Sequence, residues 1–346
     1  MSGLYSIVKY VVKTGLYGYH KKIIISGLEN IPKDKPVLFL PNHQSALIDV
    51  LLIATDCNRK PFFLTRSDVF NGKFLKRVFS YFQMLPIYRM RDGRETLTNN
   101  SFIFDTCAEI LNEGNAIVVF PEANHNLQRR VRPLSKGFTR IIIRCFELYP
   151  NLDIQLVPVG LNYKNAVHFP EEVAVCYGKP ISAKSLFNSE DLNQSSQIIK
   201  ESVSLALKGL TTHIGNVYDL TLNRLINDNV NFLNPSQVNK TILSYNQEHQ
   251  VAENVPVKKE EIDFFKVIFR IFNFPVVILW QLWLKPKVPE AEFMGTFRFA
   301  LAFICYPIYL LTIFFIIFYF LTLTLALITV GLLTILNMLL VKYVLR

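Results

Sequence analysis

The chain has 346 residues, with 51 % apolar and 18 % charged side chains, against roughly 25 % charged in an average soluble chain. That length suits one or two domains, and that balance excludes intrinsic disorder and argues against a wholly water-soluble protein. The 37 Lys and Arg against 27 Asp and Glu leave a formal charge of +10, which attracts anions such as acidic lipid, a phosphorylated substrate or nucleic acid.

Residues 1–21 read as a basic amphipathic helix. Leu4, Ile7, Val8, Val11 and Val12 follow helical spacing, while Lys9 and Lys13 lie one turn apart on another face. Such a helix lies on anionic lipid; the alternative is a surface helix packed on the domain. Lysines interrupt its apolar run and no A-x-A site follows, unlike a cleaved signal peptide. Residues 22–210 alternate strand and helix. Apolar, β-rich runs recur at 22–26, 37–41, 61–65, 116–121, 154–160 and 173–178, with helical patterns at 46–56, 94–112, 136–148 and 191–210. This alternation predicts an α/β sheet with helices on both faces. Residues 211–262 are rich in Asn, Gln and charge and read as a helical connector and linker.

The region 263–346 meets a different solvent. The stretch FFKVIFRIFNFPVVILWQLWLK is interrupted by Lys266, Arg270 and Pro275 and carries Trp280 and Trp283 near its end, which favours an interfacial segment over a third crossing. Residues 299–341 hold no charge, about twice the ~20 helical residues that cross a ~30 Å hydrocarbon core. Two spans joined by a turn near 319–324 fit better than one long helix. Lys285, Lys287 and Arg298 precede this hairpin, and Lys342 and Arg346 follow it. The positive-inside rule then puts both ends on the cytoplasmic face, and a bacterial inner membrane is the expected location. The five cysteines, at 57, 107, 145, 176 and 305, are odd in number and lack CxxC spacing, which argues against a disulfide scaffold or a zinc ribbon.

Residues able to do chemistry gather where strands end, the place where open α/β sheets bind ligands. In VLFLPNHQSALID, His43 follows a strand and Asp49 lies six positions on. A histidine titrates near neutrality, and a carboxylate on its other ring nitrogen fixes the tautomer and stabilises the imidazolium. MLPIYRMRDGR brings Arg89, Arg91 and Arg94 around a turn, and arginine binds phosphate bidentately. In AIVVFPEANHN, Glu122 follows another strand, with Arg129, Arg130 and Arg132 beyond it.

These blocks, in this order, resemble the glycerophospholipid acyltransferases that include 1-acylglycerol-3-phosphate acyltransferase. NHQSALID is similar to that family's NHxxxxD block, LPIYR to its arginine block, FPEA to its FPEG block and LVPVG at 156–160 to its fourth, Pro-containing block. Two departures stand out: five residues separate His43 from Asp49 where the family has four, and Ala123 replaces the usual Gly. A bulged first helical turn would let Asp49 still reach His43. The resemblance covers about residues 22–180 and implies a mixed sheet flanked by helices. It also implies acyl transfer from acyl-CoA or acyl carrier protein to the sn-2 hydroxyl of a lysophospholipid, with lysophosphatidate as the expected acceptor. His43 would be the base and Asp49 its orienting acid; Arg89 would bind the phosphate, Glu122 the glycerol portion, and Arg66 and Lys136 are further phosphate candidates. The thioester is a co-substrate, and no cofactor or metal is expected.

Other readings remain open at this point. The acceptor could be glycerol 3-phosphate, another lysophospholipid or an amino-acid lipid. Ser45 with His43 and Asp49 supplies the residue types of a hydrolase triad, but no GxSxG elbow is present. His43, Asp49, Glu122 and His125 could ligate a metal by residue type, without a recognised ligand spacing. A non-catalytic membrane lipid-binding protein on the same fold is the non-enzyme alternative. The basic residues are scattered with no groove-reading motif, so nucleic acid is not expected as a partner.

Overall fold

The computed structural model describes residues 2–70, 72–88, 99–215, 217–247 and 264–345. In chain order these form α1 (Ser2–Tyr19), β1 (Lys22–Ser26), β2 (Val37–Pro41), α2 (Ala46–Asp56), β3 (Phe62–Arg66), α3 (Lys73–Tyr81), β4 (Met84–Ile87), α4 (Asn99–Asn112), β5 (Ala116–Val118), α5 (Gly137–Leu148), β6 (Gln155–Tyr163), β7 (Glu172–Tyr177), β8 (Ile181–Ser182) and α6 (Leu192–Leu210). Beyond them lie α7 (Tyr218–Asn227), α8 (Pro235–Gln247), α9 (Phe264–Phe272), α10 (Phe274–Ile278), α11 (Met294–Phe320) and α12 (Leu323–Leu339). Arg89, Arg91, Arg94, the segment 94–98 ahead of α4 and the linker 248–263 lie outside the described residues.

The strands form one mixed sheet in the order β1-β7-β6-β2-β5-β3-β4, with β8 on β6. From β6 to β4 every neighbour is parallel, and β7 runs antiparallel to β6. Apolar alternation splits the core between two faces. Leu38 and Leu40 of β2, Ile117 of β5 and Leu156 of β6 point to the side covered by α4, α5 and α6. Val37, Phe39, Val118, Val157, Val159 and Leu161 point to the side covered by α1 and α2. Both faces are buried, so β2 and β6 are buried along their whole length, as central parallel strands require. Pro158 falls where β6 changes partner, between Leu156 on β8 and Val159 on β7, where a missing N–H disturbs the ladder least. Gly160 admits the end of α6: a Cβ there would sit 2.2 Å from the Leu210 carbonyl oxygen.

Two strands lie outside the six apolar runs. β4 is a four-residue edge strand containing Pro86, and β8 has two residues; segments this short leave little periodic signal. In the connector, α7 and α8 close a small core of Ile214, Leu225, Phe232, Val238 and Ile242.

The C-terminal region holds two helical runs long and apolar enough to cross a membrane, 291–320 and 323–344, with mean hydropathies of 2.5 and 2.3. The first has 30 residues, about 45 Å at 1.5 Å per residue and longer than a ~30 Å hydrocarbon core. Its excess length is docked on the domain: Gly295, Phe299 and Leu301 are buried, and Phe299 joins the core on the α1 side of the sheet. α9 and the helix from α10 onward bend by 100° between them. Asn273 at that break exchanges hydrogen bonds with Asn337 of α12, at 2.6 and 3.1 Å, the kind of polar pairing that joins helices in apolar surroundings.

α1 packs on the core of the domain through its second half. Leu16 and Tyr19 enter the core, while Leu4, Ile7, Tyr10 and Val11 are exposed. Its last carbonyls, left without helical partners, are capped from the far end of the chain: Lys342 Nζ donates to the carbonyls of Tyr17 and His20, the latter at 2.7 Å, and Lys21 Nζ donates to Leu345 O at 2.8 Å. Replacing Lys342 by Met should loosen this clasp by about 1.5–3 kcal/mol, the worth of hydrogen bonds to a charged group. The check is a thermal melt of the detergent-solubilised protein, in which the midpoint falls by several degrees.

Candidate active site

The parallel strands place their carboxyl ends along one edge of the sheet. In lateral order that edge presents Tyr163 at the end of β6, His43 two residues past β2, Glu122 four residues past β5 and Arg66 at the end of β3. Residues distant in sequence meet there because the strands that carry them are neighbours.

Asp49 anchors the arrangement. Its carboxylate is fully buried, and His43 Nδ1 lies 2.7 Å from Oδ2. The backbone N–H groups of Gln44 and Ser45 each donate to Oδ2 at 2.8 Å, and the Tyr163 hydroxyl donates to Oδ1 at 2.5 Å. An acceptor-only carboxylate with these partners accepts the hydrogen bond of Nδ1–H, which leaves Nε2 as the ring's acceptor. The five-residue interval is absorbed at Ala46, whose φ of 42° precedes the first turn of α2. The Ile48 N–H then returns to Ser45 O at 3.0 Å.

The ring itself is fixed on several sides. His43 stacks on Phe120 with centroids 3.9 Å apart and meets His125 edge-on at 5.7 Å. Asn42 extends the β2–β6 pairing past Pro41: its side chain donates to Leu161 O at 3.0 Å and accepts from Leu161 N at 2.7 Å. His125 Nε2 is 2.8 Å from Glu290 Oε2, and the His125 ring packs edge-on against Phe293. Glu290 and Phe293 belong to the turn that leads into α11, so the membrane region supplies part of the wall around His43. Ser45 is also covered by α11: a Cβ on Gly295 would lie 3.1 Å from Ser45 Oγ, and Ser45 is 1 % exposed. This leaves the hydrolase reading without a nucleophile open to substrate.

Glu122 is committed within the protein. Arg132 donates Nε and Nη2 to Oε2 at 2.9 and 2.6 Å. Burial raises the Glu122 pKa while Arg132 and His43 oppose the shift. A glycerol hydroxyl would therefore meet an ion pair rather than a free carboxylate. The adjoining turn uses Ala123 at a φ of 63°, a left-handed conformation that costs a non-glycine residue ~1–2 kcal/mol. Arg66 is exposed and ion-paired with Asp68, and Lys136 is exposed at the start of α5. Arg89 lies outside the described residues, past the end of β4. Among the described residues, no three His, Cys, Asp or Glu side chains gather as metal ligands.

Residues 22–162 match the family model described as Acyltransferase. The matched segment carries His43, Asp49 and Glu122. A chloroplastic 1-acyl-sn-glycerol-3-phosphate acyltransferase of Brassica napus is 26 % identical over 156 residues, covering 45 % of this chain and 41 % of that protein. Glycerol-3-phosphate O-acyltransferase 1 of Saccharomyces cerevisiae is 27 % identical over 116 residues, covering 32 % of this chain and 15 % of that protein. The chain thus spans less than half the length of these curated relatives. The crystal structure of the 1-acyl-sn-glycerophosphate acyltransferase from Thermotoga maritima is 20 % identical, covers 59 % of this chain and 83 % of that chain, and superposes with a TM-score of 0.39.

The site around His43 uses several side chains with no local sequence mark. Tyr163 lies 114 positions from Asp49, and no local pattern could pair them. Asn42 and Phe120 stood inside the quoted blocks without a role. Behind Tyr163, Arg129 donates to the carbonyls of Tyr163 and Lys164 at 2.8 and 2.7 Å and stacks over Phe232. Nearby Glu171 is buried and accepts the Asn165 N–H at 2.8 Å.

Burial holds the Glu171 carboxyl up to about 8 against an ordinary 4.5. The folded state therefore favours the neutral acid. This contribution to stability is complete below pH 4.5 and is lost as pH rises through 8. Glu171→Gln should flatten that part of the stability profile and leave the variant more stable than the parent at pH 8, as read from melts across the range.

Proposed function

We propose that this protein is a membrane-bound O-acyltransferase that acylates the sn-2 hydroxyl of 1-acylglycerol 3-phosphate to give phosphatidic acid. The observation that carries the reading is the His43–Asp49 contact at 2.7 Å, held by two N–H groups and Tyr163 and lying at the sheet edge where a ligand binds. The acyltransferase domain and the activity named for the Brassica napus relative support the acceptor class.

In this reading Nε2 of His43 takes the proton of the acceptor hydroxyl while that oxygen attacks the thioester carbonyl of acyl-CoA or acyl carrier protein. The Asp49 carboxylate stabilises the imidazolium that forms. The C–S bond then breaks, the ester forms, and the leaving thiolate takes the proton from Nε2. Tyr163, Asn42 and Phe120 act as positioning residues. Arg89, Arg66 and Lys136 are the candidate cations for the phosphate, and the Glu122–Arg132 pair shapes the turn past β5. The hairpin and the exposed half of α1 hold the domain at the bilayer surface, with the basic flanks of the hairpin on the cytoplasmic side. There a lysophospholipid arrives from the leaflet and a thioester from water.

His43→Ala should lower turnover with lysophosphatidate and acyl-CoA by about 10²–10⁴-fold, the usual loss of a general base; an unchanged rate in the purified, folded variant refutes the assignment. Tyr163→Phe should cost about ten- to hundredfold in kcat at nearly constant KM, matching one lost hydrogen bond to a charged group. A shifted pH–rate profile would distinguish this from a packing defect. The activity named for the Saccharomyces cerevisiae relative favours glycerol 3-phosphate as a second acceptor. Initial rates with both acceptors decide between them, and a higher kcat/KM for glycerol 3-phosphate would displace lysophosphatidate.

A further inference from the structure

The helical connector α7–α8 lies outside the segment that the family model matches, yet it grips that segment along residues 129–131. The Arg129 N–H donates to the Tyr218 hydroxyl at 2.8 Å, and the Arg129 carbonyl accepts the Ile214 N–H at 2.9 Å. Arg130 donates to the carbonyls of Ile214, at 2.9 Å, and Gly215, and the Val131 N–H donates to His213 Nδ1 at 3.0 Å. His213 is tied in turn to α8, where the Asn239 side chain accepts its N–H at 3.0 Å. Contacts on three consecutive residues fix this stretch of backbone against the connector.

The Arg129 guanidinium carries that grip to the site. It lies 3.7 Å from the centre of the Phe232 ring, and Phe232 belongs to the connector's own core with Ile214, Leu225, Val238 and Ile242. From that seat Nη1 and Nη2 donate to the carbonyls of Tyr163 and Lys164 at 2.8 and 2.7 Å. The planar fork of a guanidinium spans two acceptors in one fixed geometry. These two carbonyls stand where the pairing of β6 with β7 runs out, at Tyr163 opposite Val173. Tyr163 is also the residue whose buried hydroxyl reaches Asp49 Oδ1 at 2.5 Å. Its backbone is thus held by Arg129 and its hydroxyl by the carboxylate that orients His43. A shift of about 1 Å in such an arrangement can cost about 10²-fold in rate.

We propose that Arg129 is a positioning residue: seated by the connector, it fixes the end of β6 so that the Tyr163 hydroxyl holds Asp49 and, through it, His43. The connector is then a working part of the site as well as a link to the apolar C-terminal helices. This inference rests on the reading of His43 as the base. An arginine that only stabilised the fold would lower the melting temperature and leave the turnover of the folded protein alone.

The test is a double-mutant cycle on kcat in the full chain, purified in detergent, with lysophosphatidate and acyl-CoA. Arg129→Gln should lower kcat by about ten- to hundredfold at nearly constant KM. Arg129→Lys, which can still donate to a carbonyl, should recover part of it. In a Tyr163→Phe background the same Arg129→Gln change should cost little more, because no hydroxyl is left to position. Val203→Ala, in the core on the opposite face of the sheet, is the control for lost stability, and its kcat should match the parent's. Should Arg129→Gln fail to fold, Tyr218→Phe, which removes the bond to the Arg129 N–H, must show a smaller loss of kcat that also vanishes in the Tyr163→Phe background. A folded Arg129→Gln variant with the parent's kcat overturns the proposal. So do losses that multiply with those of Tyr163→Phe, or an equal loss in Val203→Ala.

A second readout does not need the reaction. The Nδ1–H proton of His43, followed by NMR in protein with labelled histidine, should exchange with water severalfold faster in Arg129→Gln and in Tyr163→Phe than in the parent. If the parent fails to acylate lysophosphatidate, the acceptor reading falls and this exchange rate decides the positioning role. A matched acceleration in the two variants upholds it, and an unchanged rate in Arg129→Gln overturns it.

Discussion

A fully buried carboxylate is the constraint around which the rest is arranged. Taking Asp49 out of water costs several kcal/mol unless its oxygens are bonded, and the four donors that bond them come from the loop between β2 and α2 and from the last residue of β6. Those segments must converge for the fold to be stable at all. Their convergence also fixes the His43 ring in the tautomer that leaves Nε2 free. Burial of the carboxylate and orientation of the ring are here consequences of one contact set, and the left-handed turn at Ala46 is the local strain that lets a longer loop meet the same requirement.

The second constraint is the boundary between two solvents. α11 exceeds the thickness of a hydrocarbon core because its first turns belong to the domain: Gly295 lies on Ser45, and Phe299 enters the sheet's core. The turn ahead of it places Glu290 and Phe293 against His125, within a ring contact of His43. At the other end of the hairpin, Lys342 caps α1. The apolar C-terminal helices are thus part of the architecture around His43, so the strand-end edge and the hairpin keep a fixed relation.

Much of this was legible in residue order. The six apolar runs became strands because apolar alternation on a sheet buried on both faces leaves a strong signal, and the hairpin declared itself through a long run without charge. His43 and Glu122 stood out because polar residues soon after apolar strands are the ones a parallel sheet presents together, and Asp49 because it lies six positions beyond His43. β4 and β8 were too short to show a period. Glu122's partner, Arg132, was read among a cluster of arginines with no means to tell which of them would fold back on it. Tyr163 ends a strand whose polar tip carries no mark of the carboxylate 114 positions earlier.

What the sequence determined by itself was therefore the solvent of each segment and the chemical types at strand ends, because hydropathy and periodicity act locally along the chain. The tertiary structure alone decided which charges neutralise one another, which strand lies next to which, and that α11 closes over Ser45. Those outcomes depend on contacts between residues far apart in sequence. Such contacts are chosen by burial and hydrogen-bond satisfaction across the whole fold, and no window of residues holds that information.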